Sequence, residues 1–414
     1  MAANASSAPV INSRKRRRWL VFLIVVAMLA LCGAIFHEAI SSHLRAMSVL
    51  LRFSDAKATG FGVHFAQHPF SEQTASAQTP FGLLKYRIYR PLDVSNPGGM
   101  VLLHGVHHLG LEEPRLVSFA RALAGAGVEV MTPELHDLAD YHVVPESVEQ
   151  IGISAVILST QLHQFKVGIM GLSFAGGMAL LAAAKPEYAD QIGFVVAIGA
   201  HDDLSRVSRF FATNKIEKPD GSTAPFAAHE YGVLVLAYSH LEDFFSPADM
   251  PAAREALRLW LWEQPDAAVK EAKAMNPAGQ TEFDLLVHHR DQLQRQLLHE
   301  IDAHRAEMDA VSPHGHLSAL NVPVFLLHGT GDSVIPASET LWLEQDVPHA
   351  ELKGALISPA LVHVSMEQTV SFHDKWALVD FLAHVLNMTD SARHRQFSRG
   401  LPIGQAGQDV TIHP

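Results

Sequence analysis

The 414 residues predict an α/β protein, a mostly parallel sheet covered by helices on both faces, with a helical cap insertion and an N-terminal transmembrane helix. Three observations carry this. From Phe81 onward short apolar runs rich in β-branched residues alternate with stretches of helical period. About a hundred residues of helical pattern separate "VVAIGAHDD" from "VPVFLLHG", too long for a loop. Near the start, Trp19 to Phe36 carries no charge for 18 residues.

Taken in order, residues 1–18 form a tail ending in five basic residues, Arg14 to Arg18. The uncharged run 19–36 follows, and at about 1.5 Å per residue it nearly spans a ~30 Å hydrocarbon core. The basic flank on one side only, with Glu38, Arg45, Arg52, Asp55 and Lys57 mixed on the other, predicts a cytoplasmic N-terminus and a globular part outside the cytoplasm, periplasmic in a bacterium. A cleaved signal peptide ending near Cys32-Gly33-Ala34 is the alternative, and it exports the same domain. Residues 37–80 read as a lead-in, with "HLRAMSVLLRF" a helix packing on the domain and "SEQTASAQTP" a polar loop.

The core runs from 81 to 204 and resumes from 314 to 388. Its strands are "LLKYRIY", "GMVLLHG", "VEVMTPEL", "KVGIMG", "GFVVAIGA", "VPVFLLHG" and "HAELKGAL". Several are continuous apolar runs, as strands buried on both faces require. The helices between them are "EPRLVSFARALAGAG", "ESVEQIGISAVILSTQL", "GGMALLAAAKPEY" and "DKWALVDFLAHVL". Residues 205–313 form the cap, and 389–414 lack periodicity and read as a loose tail.

The net charge of −12 excludes a general nucleic-acid binder, because neutralising phosphates needs a basic face. The lone cysteine, Cys32, excludes an intramolecular disulfide. There are 26 histidines, yet "HGVHH", "VHH" and "SPHGHL" lack a ligand spacing, so no metal and no cofactor is expected.

Chemistry gathers at "GLSFAG". Ser173 stands where a strand-like run becomes helix-like, with small residues two places away on either side, Gly171 and Ala175. A sharp turn there exposes the hydroxyl and aims the first amides of the helix at the same spot. His104 and Gly105 end an earlier strand, in a turn that can present the Val106 amide as a second donor to an oxyanion. Asp332 ends a later strand in a polar turn, where a carboxylate can orient a histidine. His363 lies in the loop between the last strand and the last helix.

The chain order Ser173, Asp332, His363 resembles that of the α/β-hydrolase superfamily, over roughly Phe81 to Leu386 without the insertion. The resemblance implies Ser173 as nucleophile, His363 as general base and then acid, Asp332 as its orienting partner, and the amides of Val106 and Phe174 as the oxyanion hole. His104, Gly105 and His107 are expected to line the substrate site, with His108 at its mouth. Ala175 departs from the glycine of the stricter pattern. Asp202 or Asp203 is a rival acid, whereas His349 and His373 fall outside the expected loop. Trp260 and Trp262 read as cap core. The function expected is a serine hydrolase acting on a small-molecule ester, thioester or related acyl bond. Acyl transfer or peptide hydrolysis on the same triad and a non-catalytic membrane-anchored binding protein are the alternatives, and oligomeric state is not legible.

Overall fold

The computed structural model describes residues 13–163, 166–362, 365–366 and 370–392. Eight strands form one sheet: β1 (Phe70–Thr79), β2 (Gly82–Pro91), β3 (Gly98–Leu103), β4 (Val128–Pro133), β5 (Val167–Leu172), β6 (Ile192–Ile198), then β9 (Val324–Gly329) and β10 (Leu352–Ser358). The cap supplies a separate hairpin, β7 (Lys215–Glu217) with β8 (Thr223–Pro225), and a further pair, β11 (Leu361–Val362) with β12 (Ser365–Met366), follows β10. The order across the sheet is β1-β2-β4-β3-β5-β6-β9-β10. Only the β1–β2 and β2–β4 pairings within it are antiparallel.

The central strands alternate between two cores. Val101 and Leu103 of β3, Ile169 of β5 and Val195 and Ala197 of β6 enter one. Met100, Leu102, Met170, Phe194, Val196 and Ile198 enter the other. Burial on both faces is why these strands read as unbroken apolar runs. Against the second core lie the C-terminal half of α1 (Ser13–Ser54), α2 (Pro114–Gly125) and, at the chain's end, α14 (Phe372–Ala392). The first core is covered by α4 (Pro145–Gln161), which follows the single turn α3 (His136–Ala139), and by α5 (Phe174–Ala184).

Between β6 and β9 the cap is built from α6 (Leu204–Thr213), α7 (Tyr231–Ser239), α8 (Met250–Leu261), α9 (Pro265–Ala272), α10 (Pro277–His288), α11 (Gln294–Ala303) and α12 (Arg305–Asp309). Side chains start several of them. Asp203 Oδ1 accepts from the amides of Ser205 and Arg206 at the head of α6, and Asn276 Oδ1 does so from Ala278 and Gly279 at α10. After β9 comes α13 (Ser338–Asp346).

Two differences from the sequence reading have clear causes. The polar stretch taken for a loop is most of β1, an edge strand paired with β2 alone, so its side chains have little core to fill. The final helix reaches Ala392, so positions 389–392 of the expected tail are helical. The lead-in helix packs on the domain as expected, with Ala46 and Val49 fully buried against α2 and α14.

Among the described residues no helix is long and apolar enough to cross a membrane. The uncharged run lies within α1, and the side chains of residues 29–36, Cys32 included, are outside those described. Those described earlier in the run are exposed, among them Trp19, Phe22, Leu23, Ile24 and Met28.

Candidate active site

β5 hands over to α5 through one residue, Ser173, at φ 57° and ψ −134°. A side chain in the left-handed half of backbone space is strained and persists only where neighbours hold it. The Ser173 amide donates to the Ile198 carbonyl at 2.8 Å, and its own carbonyl accepts from Gly176 at 2.9 Å. The turn is so tight that a Cβ on Gly171 would sit 2.5 Å from the Ala175 carbonyl oxygen. That clash explains the glycine two residues before the serine. Position 175 needs only to be small, so its alanine is accommodated. The Phe174 amide is the first of α5 and, like the opening amides of any helix, lacks an intrahelical acceptor.

The loop after β3 passes directly beside this turn. A Cβ on Gly105 would lie 3.0 Å from Ser173 Cβ and 3.7 Å from Ser173 Oγ, so Gly105 borders the hydroxyl, with Val106 next to it. Two anchors fix the loop. Glu134 Oε2 accepts from the Leu111 amide at 2.9 Å. His104 is buried, and the Leu135 amide donates to its Nε2 at 3.0 Å. The proton therefore sits on Nδ1, which donates to the Gly105 carbonyl at 2.7 Å. Burial holds this imidazole neutral by lowering its pKa. Both nitrogens of His104, expected at the substrate site, are taken up by backbone, so the ring holds the loop. His107 is half-buried in the same loop, its Nδ1 accepting from the Leu109 amide at 3.2 Å. Its ring stacks on His108 at 4.7 Å, and burial with the neighbouring His108 lowers its pKa.

Asp332 follows β9 and is fully buried. Its Oδ1 accepts from the amides of Val334 at 2.9 Å and Ile335 at 3.0 Å. Its Oδ2 faces Gly199, whose added Cβ would stand 3.4 Å away, and lies 3.5 Å from His328 Nε2. His328 is itself held by the Ile335 carbonyl and the Thr340 hydroxyl.

His363 lies outside the described residues. Leu361 and Val362 before it pair with Met366 and Ser365 after it. The Leu361 carbonyl oxygen would be 2.5 Å from a Cβ on Gly329, three residues before Asp332.

The rival acids are occupied elsewhere. Asp203 caps α6. Asp202 is buried in an ion network in which Arg206 Nη2 donates to its Oδ2 at 2.8 Å and Arg206 Nε to Glu339 Oε1 at 2.6 Å. Burial and the like charge of Glu339 push Asp202 up to about 7 against the pull of Arg206. His349, ahead of β10, and His373, in the first turn of α14, are both exposed.

The mouth of the site contains residues that the sequence did not single out. Tyr231 opens α7, and the preceding His229 amide donates to the Ser333 carbonyl at 2.8 Å, docking the cap onto the Asp332 loop. Burial, with the Tyr141 hydroxyl and the Asp332 carboxylate near it, raises the Tyr231 pKa. The Tyr141 hydroxyl donates to the Leu261 carbonyl at 2.9 Å, and burial raises it to about 12. No sequence motif marks either tyrosine; the positive φ of 62° at Tyr141 emerges only in three dimensions. The two cap tryptophans part company. Trp260 packs edge-on to Phe283 and His288 within the cap. Trp262 instead stacks on His108 at 5.1 Å and so belongs to the mouth. Beneath the cap a cavity of about 130 Å³ has apolar walls that include Val143, Val144, Phe174, Phe211 and Leu236.

No protein-family model matches the sequence, and no curated protein matches it as a relative. Solved structures resemble the fold. An esterase from Pyrobaculum calidifontis is 14% identical, with 86% of this chain and 92% of that one covered at a TM-score of 0.41. An acylaminoacyl peptidase from Pyrococcus horikoshii is 13% identical at 0.44, with 81% of this chain and 44% of that one covered. A meta-cleavage product hydrolase from Pseudomonas fluorescens is 17% identical at 0.38, over 78% and 98%. Likenesses this distant say nothing of the site, whose chemistry is read from the chain's own residues.

Proposed function

We propose that the protein is a serine hydrolase that cleaves an ester, thioester or related acyl bond through an acyl-enzyme on Ser173. One observation carries this reading: Ser173 is held at a strained φ of 57° on a strand-to-helix turn, with Gly105 of the neighbouring loop packed against it. Strain of this kind is maintained where a side chain must be presented. In the proposed sequence His363 takes the Ser173 proton as Oγ attacks the acyl carbon. The amides of Val106 and Phe174 receive the charge on the carbonyl oxygen. The imidazolium, stabilised by Asp332, then protonates the leaving group, and water repeats the steps to release the acid. The position of Leu361 beside Gly329 supports His363 as the base. Leu361 thus lies beside the end of β9, just ahead of the loop that carries Asp332. Ser173→Ala should abolish ester turnover, and Asp332→Asn should lower kcat by about four powers of ten, whereas Asp203→Asn should keep the cap of α6, since an asparagine Oδ1 accepts the same amides, and cost little rate. Greater loss of rate from Asp203→Asn than from Asp332→Asn would move the acid to β6.

We also propose that α1 tethers this domain to a membrane, with residues 1–18 in the cytoplasm and the domain outside it. The row of exposed apolar side chains from Trp19 to Met28 supports this, since a soluble surface rarely leaves so many uncovered, and so does the basic run just before it. Protease added to sealed spheroplasts should digest the domain. Protection until lysis would reverse the orientation.

A further inference from the structure

Within the cap, three potential metal ligands converge. His240 ends α7, Asp243 lies in the turn that follows, and His304 sits between α11 and α12. One ligand atom from each lies within 4.8 Å of the other two. The rings of His240 and His304 face each other at 3.7 Å, and His304 Nε2 lies 2.6 Å from Asp243 Oδ2. We propose that His240, Asp243 and His304 bind a divalent first-row cation of the zinc class that braces the cap.

The chemistry fits in three respects. Two imidazoles and a carboxylate are the ligand set that zinc favours when three protein groups leave a fourth position open. Ligand atoms around a tetrahedral zinc stand roughly 3.3 Å apart, and the atoms here, within 4.8 Å of one another with one pair at 2.6 Å, bracket that spacing in side chains that are only half-buried. The second shell is also present. His304 directs its other nitrogen, Nδ1, at Glu307 Oε1, 3.4 Å away, the carboxylate-to-histidine contact that orients a ligand ring. His240 and Glu307 also line the cavity beneath the cap, so the open position would adjoin it.

A second cluster, Asp202, His314 and Asp346, has similar residue types but a different electrostatic state. There the Arg206 guanidinium already contacts Asp202 at 2.8 Å and supplies the cation. No comparable arginine or lysine pairs with Asp243 among the described ion pairs. The ligands come from segments about sixty residues apart, with no spacing motif, so the sequence gives no sign of the site.

The test uses the full chain in detergent, stripped with chelator and titrated with Zn²⁺ by calorimetry. With 26 histidines some adventitious binding is expected, so the informative quantity is the difference from the His240→Gln/His304→Gln double variant. The wild type should bind one more Zn²⁺ per chain than the double variant, and only the wild type should gain thermal stability on loading. Equal stoichiometry with an equal thermal response would overturn the site. Should the double variant not fold, Asp243→Asn, nearly isosteric, decides: Zn²⁺ affinity should drop at least tenfold, and unchanged affinity overturns the proposal. Neither readout depends on Ser173 chemistry, so this site and the hydrolase reading can fail separately.

Discussion

His104 shows how one side chain can serve the site without touching it. The sequence places it at the end of β3 and suggests a substrate contact; the two backbone hydrogen bonds show a clamp between the Gly105 carbonyl and the Leu135 amide. The clamp exists only for the neutral ring, because a protonated Nε2 cannot accept from Leu135. His104 and the buried His201 both have lowered pKa values, chiefly through burial. They hold protons less tightly folded than unfolded. Their contribution to stability is therefore complete above the unfolded value of about 6.5 and is lost as pH falls below it. Urea midpoints measured from pH 8 to pH 5 should fall below about 6.5, and His104→Gln should flatten part of that fall. A flat wild-type profile would mean the clamp survives protonation. The strand-to-helix turn at Ser173 and the strand end before Asp332 were legible because small flanking residues and apolar runs mark them. The role of His104 was not, since which nitrogen meets which amide depends on β3 and β4 lying side by side.

Among the elements, those with a strong period were legible and those defined by their neighbours were not. β3, β5 and β6 are buried on both faces and show it as apolar runs. β1 is polar because only β2 and the edge position make it a strand. The cap was recognisable as helical, but not its breaks at Arg290–Leu293 and His304, where docking on α6 interrupts the period. The same limit separates its two tryptophans, two positions apart in sequence but differently placed. Trp260→Ala should destabilise the cap by about 2–3 kcal/mol and lower all esters by a common factor in the folded fraction. Trp262→Ala, which removes the stack on His108, should instead change the ratio of specificity constants between short and long acyl esters, by about 1–3 kcal/mol. Specificity constants for a series of acyl lengths on one alcohol separate the two. A common factor for Trp262→Ala would make it, too, merely structural.

At the scale of the whole molecule, the sheet divides the labour between its two faces. One face carries α1, α2 and α14, so the proposed membrane tether is continuous with the core through Ala46 and Val49. The other carries α4, α5 and the cap, and the C-terminal ends of β3, β5 and β9 deliver Gly105, Ser173 and Asp332 to one edge between them. Such a crevice at the carboxyl ends of parallel strands is where an open α/β sheet binds its ligands. The arrangement has its purpose only if Ser173 becomes acylated. The most direct measurement is the intact mass of the full chain after brief exposure to a panel of activated esters, followed by peptide mapping. The account predicts a single acyl adduct, on Ser173, that disappears on longer incubation and does not form in Ser173→Ala. Turnover of the same esters with the adduct on another residue, or an equal adduct in Ser173→Ala, would contradict it.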